Sequence, residues 1–363
     1  MSGLWLSRLE LTGFRSHERA EFEFVSKFNG LVGDNGLGKT NVLEAIHYLS
    51  LGKPYFGGND RQSVREGADF FLIKAQFTRL GREEDVELAY APADRKQLKR
   101  NGKALDRLAD HLGAFPAVVI APRDQELVDG PADERRRFAD QVISQSDRGY
   151  LNALSRYQQL LKQRNALLRS AQGRDPGEQL AFFDFGMAQA AEQLTALRAR
   201  FCDELRPWLE TFIDRIGGGE QASIVYRPDV EGSLAEVLER NRAQDLRMGH
   251  TRRGLHKDEF EWSLDGRVLR HYGSQGQQKS FLLALKLAQY ALLRSKLELT
   301  PLLLLDDLFD KLDARRAGRL IELLRTEEYG QVFVTDTHPD RVAVLFEGMG
   351  AEARIHRLIP TPA

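Results

Sequence analysis

Residues 33–41 read Gly33-Asp34-Asn35-Gly36-Leu37-Gly38-Lys39-Thr40-Asn41. The first eight fit the phosphate-binding pattern G-x-x-x-x-G-K-[ST], with a strand-like run before them and a helix-like run after them. The glycines let backbone N–H groups turn inward around phosphates, Lys39 can reach the β- and γ-phosphates, and the Thr40 hydroxyl can ligate Mg²⁺. The helix that starts near Asn41 directs its positive end at the same anion. The pattern predicts a P-loop that binds ATP, rather than a chance glycine-rich turn.

Four leucines that end in two acids, Leu302 to Asp307, form a second motif. Next to a P-loop this pattern is typical of a Walker B strand. Asp306 is then the residue that holds Mg²⁺, directly or through water, and Asp307 the residue that orients the attacking water. The alternative is a buried strand that ends in two solvated acids. A parallel-sheet nucleotide site needs an acid at the carboxyl end of a strand, which favours the Walker B interpretation.

A third motif, Tyr272 to Gln278, precedes a long helical pattern. It resembles the ABC signature, in which serine and glycine N–H groups at a helix N-terminus bind the γ-phosphate of ATP held by a second subunit. We therefore expect Ser274, Gly276 and Gln277 to contact nucleotide. The alternative is that Ser274 only caps the helix. Residues 310–313 follow Walker B where ABC proteins keep their D-loop, and are expected at a dimer interface.

Composition places the chain among globular proteins. It has 363 residues, 42% of them hydrophobic and 29% charged, and a net charge of -1. Bulk charge therefore neither supports nor excludes DNA binding, which would require a local basic surface. The single cysteine, Cys202, excludes an internal disulfide, fits a reducing compartment and is predicted to be buried and inert. Without a signal peptide or a run of about 20 apolar residues, we expect a cytoplasmic protein with no membrane partner.

The pattern of predicted elements indicates an α/β fold. Strand and helix signals alternate at both ends of the chain, which predicts a largely parallel sheet, while residues 133–215 have a helical pattern broken near Pro176. We predict a discontinuous ABC-type ATPase head formed by residues 1–135 and 250–363. Residues 136–249 are predicted to form a small inserted helical lobe with a short antiparallel helical hairpin.

Several segments together resemble the RecF family of the SMC/ABC ATPase superfamily. They occur in the family's order, from the N-terminus to about Asp340, and comprise Gly13-Phe14-Arg15-Ser16, the P-loop, Ala121 to Asp124, Glu134 to Phe138, Gly254 to Asp258, the signature and Leu303 to Asp313. The resemblance implies an SMC-type ATPase head that binds ATP and Mg²⁺ and dimerises on ATP. It also implies binding to duplex DNA beside single-strand gaps, partners equivalent to RecR and RecO, assistance to RecA loading, and roles in replication restart and the SOS response to DNA damage.

The resemblance extends to individual residues. Arg15 matches an arginine that lies near the nucleotide in related heads, with a surface charge as the alternative. Arg65 has the same two interpretations. Either Asp124 or Gln125 falls at the expected Q-loop, and either Asp336 or His338 at the switch position. Leu255 replaces a proline common in the family, and Lys279-Ser280 replace arginine and threonine.

Basic residues form four candidate DNA contacts, of which the hairpin and the triple arginine are the first choices. They are the hairpin cluster Arg95, Lys96, Lys99, Arg100 and Lys103; the triple arginine Arg135 to Arg137; the pair Arg252 and Arg253; and Lys162, Arg164 and Arg169 of the helical lobe. Each is also compatible with a solvated face, and the triple arginine with ion pairs that support the lobe. Contact with phosphates without sequence readout is the expected mode.

The predicted mechanism is a switch in which two heads close over two ATP molecules and hydrolysis releases them. Asp307 is one methylene shorter than the glutamate usual in ABC ATPases, which predicts slow turnover. The alternatives are an ABC transporter subunit, a head subunit of another SMC-like DNA complex, and a DNA clamp that uses ATP only as structural glue.

Overall fold

The computed structural model describes residues 3–94, 96–217, 219–307, 314–326, 329–347 and 352–359. By its internal contacts the chain divides into two compact units. Unit 1 comprises Met1–Asp124, Arg215–Gly218 and Leu282–Ala363, and unit 2 comprises Gln125–Asp214 and Gly219–Phe281. These units are defined by contacts within the chain and not by function. The ATPase head expected from the sequence, residues 1–135 and 250–363, therefore stays a prediction.

The strands, in chain order, are β1 (Leu4–Phe14), β2 (His17–Glu23), β3 (Phe28–Val32), β4 (Phe71–Arg79), β5 (Arg82–Tyr90), β6 (Gln97–Arg100), β7 (Lys103–Ala104), β8 (Ala117–Ile120), β9 (Ala222–Arg227), β10 (Glu259–Leu264), β11 (Arg267–Val268), β12 (Leu302–Leu305), β13 (Val332–Asp336) and β14 (Ala353–Arg357). The α-helices are α1 (Lys39–Leu51), α2 (Glu126–Asp129), α3 (Ala132–Ser146), α4 (Arg148–Ser170), α5 (Glu178–Ile216), α6 (Leu234–Met248), α7 (Leu269–Tyr272), α8 (Gln275–Leu297), α9 (Ala314–Leu324) and α10 (Pro339–Leu345).

A parallel sheet forms the centre of unit 1. Its strand order is β14-β3-β13-β12-β8, and each pair is parallel. Every residue of β3, β12 and β13 is buried. Because both faces of such a sheet are covered, these strands do not alternate between apolar and polar residues. The carboxyl ends of all five strands lie at one edge, which brings the segments after β3, β12 and β13 together.

A second sheet of unit 1 is antiparallel and has the strand order β2-β1-β4-β5-β6-β7. Its inward residues alternate with exposed ones, as in β4, where Phe71, Ile73, Ala75 and Phe77 are buried. The hairpin predicted within the basic hairpin cluster is present between β6 and β7, and its turn residues, Asn101 and Gly102, both have positive φ (51° and 74°). Asn-Gly suits that turn because both residues tolerate the left-handed region.

Two long helices of unit 2, α4 and α5, run antiparallel. Tyr150 near the start of α4 accepts a hydrogen bond from Arg198, at the middle of α5, at 3.1 Å. Arg164 near the end of α4 donates to Asp184, early in α5, at 2.6 Å. Cys202 is buried on α5, and burial raises the pKa of its thiol to about 12, as expected of an inert cysteine.

A small sheet, β11-β10-β9, also belongs to unit 2. Asp265 and Gly266 form the turn between β10 and β11, with φ of 48° and 72°. The residues from Arg267 to His271, which follow this turn, predict a strand over the whole stretch, but β11 ends at Val268. There the chain turns into α7, where the Leu269 carbonyl accepts from Gly273 at 2.8 Å and the Leu269 side chain is buried.

Arg164 is not a DNA contact, contrary to one of the sequence hypotheses. Its side chain is fully buried, and its guanidinium donates to Asp184 and Asp245 at 2.6 and 2.7 Å and to Thr251 at 2.8 Å. A buried arginine requires such partners, because an unpaired charge in the interior is costly. Arg164 therefore joins α4 to α5 and α6.

The triple arginine also has internal partners. Arg135 is buried and donates to Glu259 at 2.8 Å, Arg136 donates to the Asp258 carbonyl at 2.6 Å, and Arg137 donates to Asp133 and Glu134 at 2.6 and 2.7 Å. These contacts favour the alternative in which this segment supports the helical lobe through ion pairs. None of the described helices is long and apolar enough to cross a membrane.

Candidate nucleotide site

The P-loop lies between β3 and α1, as its pattern predicts. Gly36 and Gly38 have φ of 86° and 88°, a conformation that glycine adopts without strain. Lys39 begins α1, and only 5% of its surface is exposed. Its ammonium donates to the carbonyls of Gly33 and Asp34 at 2.7 and 3.0 Å, so the charge sits inside the curve of the loop.

Thr40 and Asp306 are 266 positions apart in sequence and meet at the edge of the parallel sheet. The Thr40 hydroxyl donates to Oδ1 of Asp306 at 2.8 Å. Thr335, at the end of β13, donates to the same oxygen at 2.8 Å, and its own hydroxyl oxygen accepts from the Asp307 backbone N–H at 3.0 Å. β13 lies between β3 and β12, and its Thr335 side chain bonds to both acids of the Walker B motif.

Burial controls the charge of Asp306. The pKa of the carboxyl is raised to about 6, chiefly by burial and to a smaller extent by the nearby Asp307, while the hydroxyls of Thr335 and Thr40 act in the opposite direction. A hydroxyl and a carboxylate that converge in this way are hard oxygen ligands of the kind that Mg²⁺ prefers. The residues present therefore fit the predicted magnesium site.

The turn between β1 and β2 contacts the P-loop, and this contact was not predicted from the sequence. His17 Nε2 lies 3.1 Å from the Gly38 carbonyl, and Asn41 donates to the Ser16 hydroxyl at 2.8 Å. A Cβ added to Gly38 would lie 2.5 Å from Ser16 Oγ and 2.6 Å from His17 Nε2. Only glycine fits there, both because of this crowding and because of its positive φ. Nothing in the local pattern around Ser16 and His17 indicates this contact.

Arg15 follows β1, and its guanidinium is directed at Glu44 of α1. It donates to Glu44 Oε1 at 3.0 Å and to the Gln62 carbonyl at 3.2 Å. Burial raises the pKa of Glu44, and Arg15 opposes that shift. Arg15 is thus attached to the helix that follows the P-loop, and its contact with nucleotide stays a prediction. Arg65 forms an exposed ion pair with Glu18 at 3.4 Å.

Asp124 and Gln125 have different surroundings. Asp124 is buried; it accepts from the Ala121 N–H at 2.8 Å and from the Tyr55 hydroxyl, and it pairs with Lys286 of α8 at 3.3 Å. Gln125 is half-buried and donates to Gln278 at 3.0 Å. Because internal groups already occupy the Asp124 carboxylate, Gln125 is the better candidate for the Q-loop residue.

The signature residues lie at the start of α8. Ser274 and Gln277 form a reciprocal capping box: the Ser274 hydroxyl accepts from the Gln277 N–H at 3.2 Å, and Gln277 Oε1 accepts from the Ser274 N–H at 2.9 Å. Ser274 is exposed and Gly276 half-exposed. The cap interpretation of Ser274 is thus correct, and it is compatible with contact to a second molecule.

Asp336 is the last residue of β13, and His338 lies two positions further on. Asp336 is buried and accepts from the His338 backbone N–H at 2.7 Å. The predicted D-loop, residues 310–313, lies outside the described residues.

Comparisons with known proteins show which family the chain resembles. A family model described as "RecF/RecN/SMC N terminal domain" matches residues 5–351. The "DNA replication and repair protein RecF" of Bacteroides fragilis is 40% identical over 358 residues, which cover 97% of this chain and 96% of that protein. The protein of the same name from Flavobacterium johnsoniae is 37% identical over 357 residues, which cover 97% and 99%.

Solved structures of RecF and of an Smc head domain have a similar fold. "Structure of the recombination mediator protein RecF-ATPrS in RecFOR pathway" matches with a TM-score of 0.87 and 26% identity, covering 99% of this chain and 97% of that one. The Smc head domain of Pyrococcus furiosus matches with a TM-score of 0.55 and 18% identity, covering 94% and 92%, and shows the fold alone.

The fold and the site define an ATPase head of the ABC/SMC class. Within that class, the chain belongs to the RecF family of DNA replication and repair proteins. The family resemblance and the α/β ATPase-head fold expected from the sequence are confirmed, and the comparisons do not support the transporter alternative.

Proposed function

We propose that this protein binds and slowly hydrolyses ATP with Mg²⁺, that ATP joins two copies into a homodimer, and that the dimer holds duplex DNA beside single-strand gaps. The observation that carries the proposal is the meeting of Thr40 and Asp306 at 2.8 Å, beside the buried ammonium of Lys39. Two neighbouring P-loop side chains and an acid 266 positions further along the chain thereby form one site for a phosphate and a divalent cation.

Binding is the task of the P-loop. Backbone N–H groups between Gly33 and Asn41 and the positive end of α1 surround the phosphates. Lys39 exchanges its bonds to loop carbonyls for bonds to the β- and γ-phosphates. Thr40 and Asp306 would hold Mg²⁺, which neutralises phosphate charge when bound. Ser16 and His17 keep the loop in place from outside, and Arg15 is proposed to act near the nucleotide through α1.

Hydrolysis depends on Asp307. It follows Asp306 directly, and its backbone N–H donates to Thr335, which fixes its position relative to the magnesium ligands. We assign to its carboxylate the orientation and polarisation of the attacking water. Because aspartate is shorter than glutamate, the water is held less firmly and turnover is slow.

Dimerisation depends on the signature. Ser274, Gly276 and Gln277 at the start of α8 present a hydroxyl and helix N-terminal N–H groups to the γ-phosphate held by the second copy. Two equivalent contacts form around one two-fold axis, so each ATP contributes to the interface. Loss of the γ-phosphate removes both contacts and opens the dimer.

The DNA role and the partners rest on family membership. A related structure is titled as a recombination mediator of the RecFOR pathway. We accordingly propose that this protein acts with RecR and RecO to favour RecA loading during replication restart and the SOS response, and, since chromosomal DNA is its ligand, that it acts in the cytoplasm. Residues 136–249 are proposed to form the lobe of a head made of residues 1–135 and 250–363.

The signature assignment is tested by Ser274→Ala. We expect the variant to bind ATP as the wild type does and to dimerise at least tenfold more weakly in Mg-ATP, because a hydrogen bond to a charged phosphate is worth about 1.5–3 kcal/mol and is lost twice per dimer. Equilibrium sedimentation gives the dimerisation constant, and a fluorescent ATP analogue gives the affinity of the monomer.

The matched control is Ser233→Ala. Ser233 caps α6 as Ser274 caps α8, with its hydroxyl accepting from the Glu236 N–H. Both variants lose a helix cap, at a cost of about 1 kcal/mol. If the two variants dimerise equally, Ser274 acts only as a cap and the signature assignment is wrong.

A further inference from the structure

The outer face of α4 carries positive charge and no negative charge. α4 contains no Asp or Glu in its 23 residues. Four of its basic side chains are exposed: Arg148, Arg156, Lys162 and Arg169. At 100° per residue these four fall within about 140° of arc, and the buried Arg164 projects from the opposite side. The exposed positions between them are polar or small: Asn152, Ser155, Gln158, Gln159, Gln163, Ala166 and Ser170.

The acidic groups that approach α4 face its other side. Asp184 and Asp245 bond to the buried Arg164, and Asp140 bonds to the Tyr150 hydroxyl and to Arg198. Asp147, at the helix start, accepts from the Tyr150 N–H at 2.8 Å as the N-cap. Among the described residues, no ion pair involves Arg148, Arg156, Lys162 or Arg169. Their charges are thus available to an external anion.

In each of the other basic clusters, an acidic side chain pairs with at least one of the positive charges. In the hairpin cluster, Arg100 pairs with Glu84, and Lys96 pairs with Asp60 at 3.0 Å. The triple arginine is bonded internally, and Arg253 pairs with Asp229 at 2.9 Å. Among the described residues of these clusters, the α4 face therefore offers four cations without an ion pair, the hairpin offers Lys99 and Lys103, and the arginine pair offers Arg252.

We propose that the outer face of α4 is a contact surface for the phosphate backbone of duplex DNA. This inference rests on the proposed function and specifies where DNA is held. From Arg148 to Arg169 the helix spans about 32 Å at 1.5 Å per residue, close to one turn of B-form duplex, roughly 34 Å. Arginine and lysine bind phosphate oxygens, and the serine and amide side chains between them add neutral donors. The absence of large apolar side chains on this face argues against insertion into a lipid surface.

The test compares two pairs of substitutions that remove equal charge. Lys162→Gln/Arg169→Gln alters the α4 face, and Lys99→Gln/Lys103→Gln alters the hairpin. Gln keeps the helix propensity of Lys and Arg, so α4 stays folded. Binding of each protein to a fluorescein-labelled gapped duplex is measured by anisotropy in Mg-ATP at several salt concentrations, and dimerisation and ATPase rate are measured in parallel.

The α4 pair is expected to weaken DNA binding about tenfold and to reduce the slope of log K against log[salt] by about 1.8. Dimerisation and ATPase rate without DNA are expected to match the wild type, and the hairpin pair is expected to retain affinity. Unchanged affinity and slope in the α4 pair would overturn the inference, as would the same losses in the hairpin pair alone.

Two further outcomes distinguish an error in the proposed function from an error in the α4 assignment. If the wild type does not bind the duplex in Mg-ATP, the proposed function fails, not only the α4 assignment. If the wild type binds phosphatidylglycerol vesicles, and the α4 pair loses that binding while keeping its DNA affinity, the face serves a lipid surface and the inference is wrong.

Discussion

Lys39→Met is expected to weaken ATP binding a few hundredfold. The ammonium is almost fully buried within the P-loop, where carbonyls of Gly33 and Asp34 now accept its protons. Contacts to two phosphates replace these bonds in the complex, and hydrogen bonds to charged groups are worth about 1.5–3 kcal/mol each. A loss of about 3–4 kcal/mol corresponds to that factor. Titration with a fluorescent ATP analogue measures it.

Methionine keeps the length and apolar stem of lysine, so the fold is expected to survive. Thermal unfolding without nucleotide serves as the control, and the variant should unfold near the wild-type temperature. Lys286→Met would be a poor control, because that lysine pairs with the buried Asp124. Lys162→Met, on the exposed face of α4, removes a charge from the other unit and should leave ATP affinity unchanged. If Lys39→Met and the wild type bind ATP with equal affinity, the P-loop does not bind ATP in the proposed way.

Asp307→Asn is expected to lower the hydrolysis rate about 10²–10⁴-fold and to leave ATP affinity intact. The amide keeps the shape of the side chain and loses the ability to accept a proton from water. With hydrolysis blocked, the dimer should remain closed in ATP. Single-turnover hydrolysis and sedimentation of the same sample measure the two effects.

Asp306→Asn distinguishes the two acids. Asp306 is proposed to hold Mg²⁺, so its amide variant should lose magnesium-dependent ATP affinity, whereas Asp307→Asn should keep it. A hydrolysis rate of Asp307→Asn equal to that of the wild type would remove this residue from catalysis. If the wild type itself shows no single-turnover hydrolysis, ATP acts only as structural glue between the copies.

The sequence alone predicted the elements with strong local patterns. The P-loop, the Leu302–Leu305 strand and the Asn101-Gly102 turn were predictable because each depends on residues close together in the chain. Alternation of strands and helices also predicted the parallel sheet, which brings Thr40 to Asp306. The role of Thr335 has only a weak signal in the sequence, a polar residue at the carboxyl end of an apolar strand, which is too common to predict a contact.

Contacts between remote segments could not be predicted in this way. Arg164 lies in a helix with four other basic residues, and only its angular position separates the buried arginine from the exposed ones. His17 and Ser16 brace Gly38 because the β1–β2 turn packs against the P-loop, which no local pattern shows. Arg100 of the hairpin cluster and Arg135 of the triple arginine pair with acids outside their own clusters, Glu84 and Glu259.

The most direct test of the account is sedimentation velocity of the wild type and Lys39→Met, with and without Mg-ATP and with and without a gapped duplex. We predict that Mg-ATP converts the wild type from monomer to dimer, that only the dimer sediments with the duplex, and that Lys39→Met remains monomeric and unbound. A wild type that stays monomeric in Mg-ATP, or that holds the duplex equally well without ATP, would contradict the ATP-closed dimer.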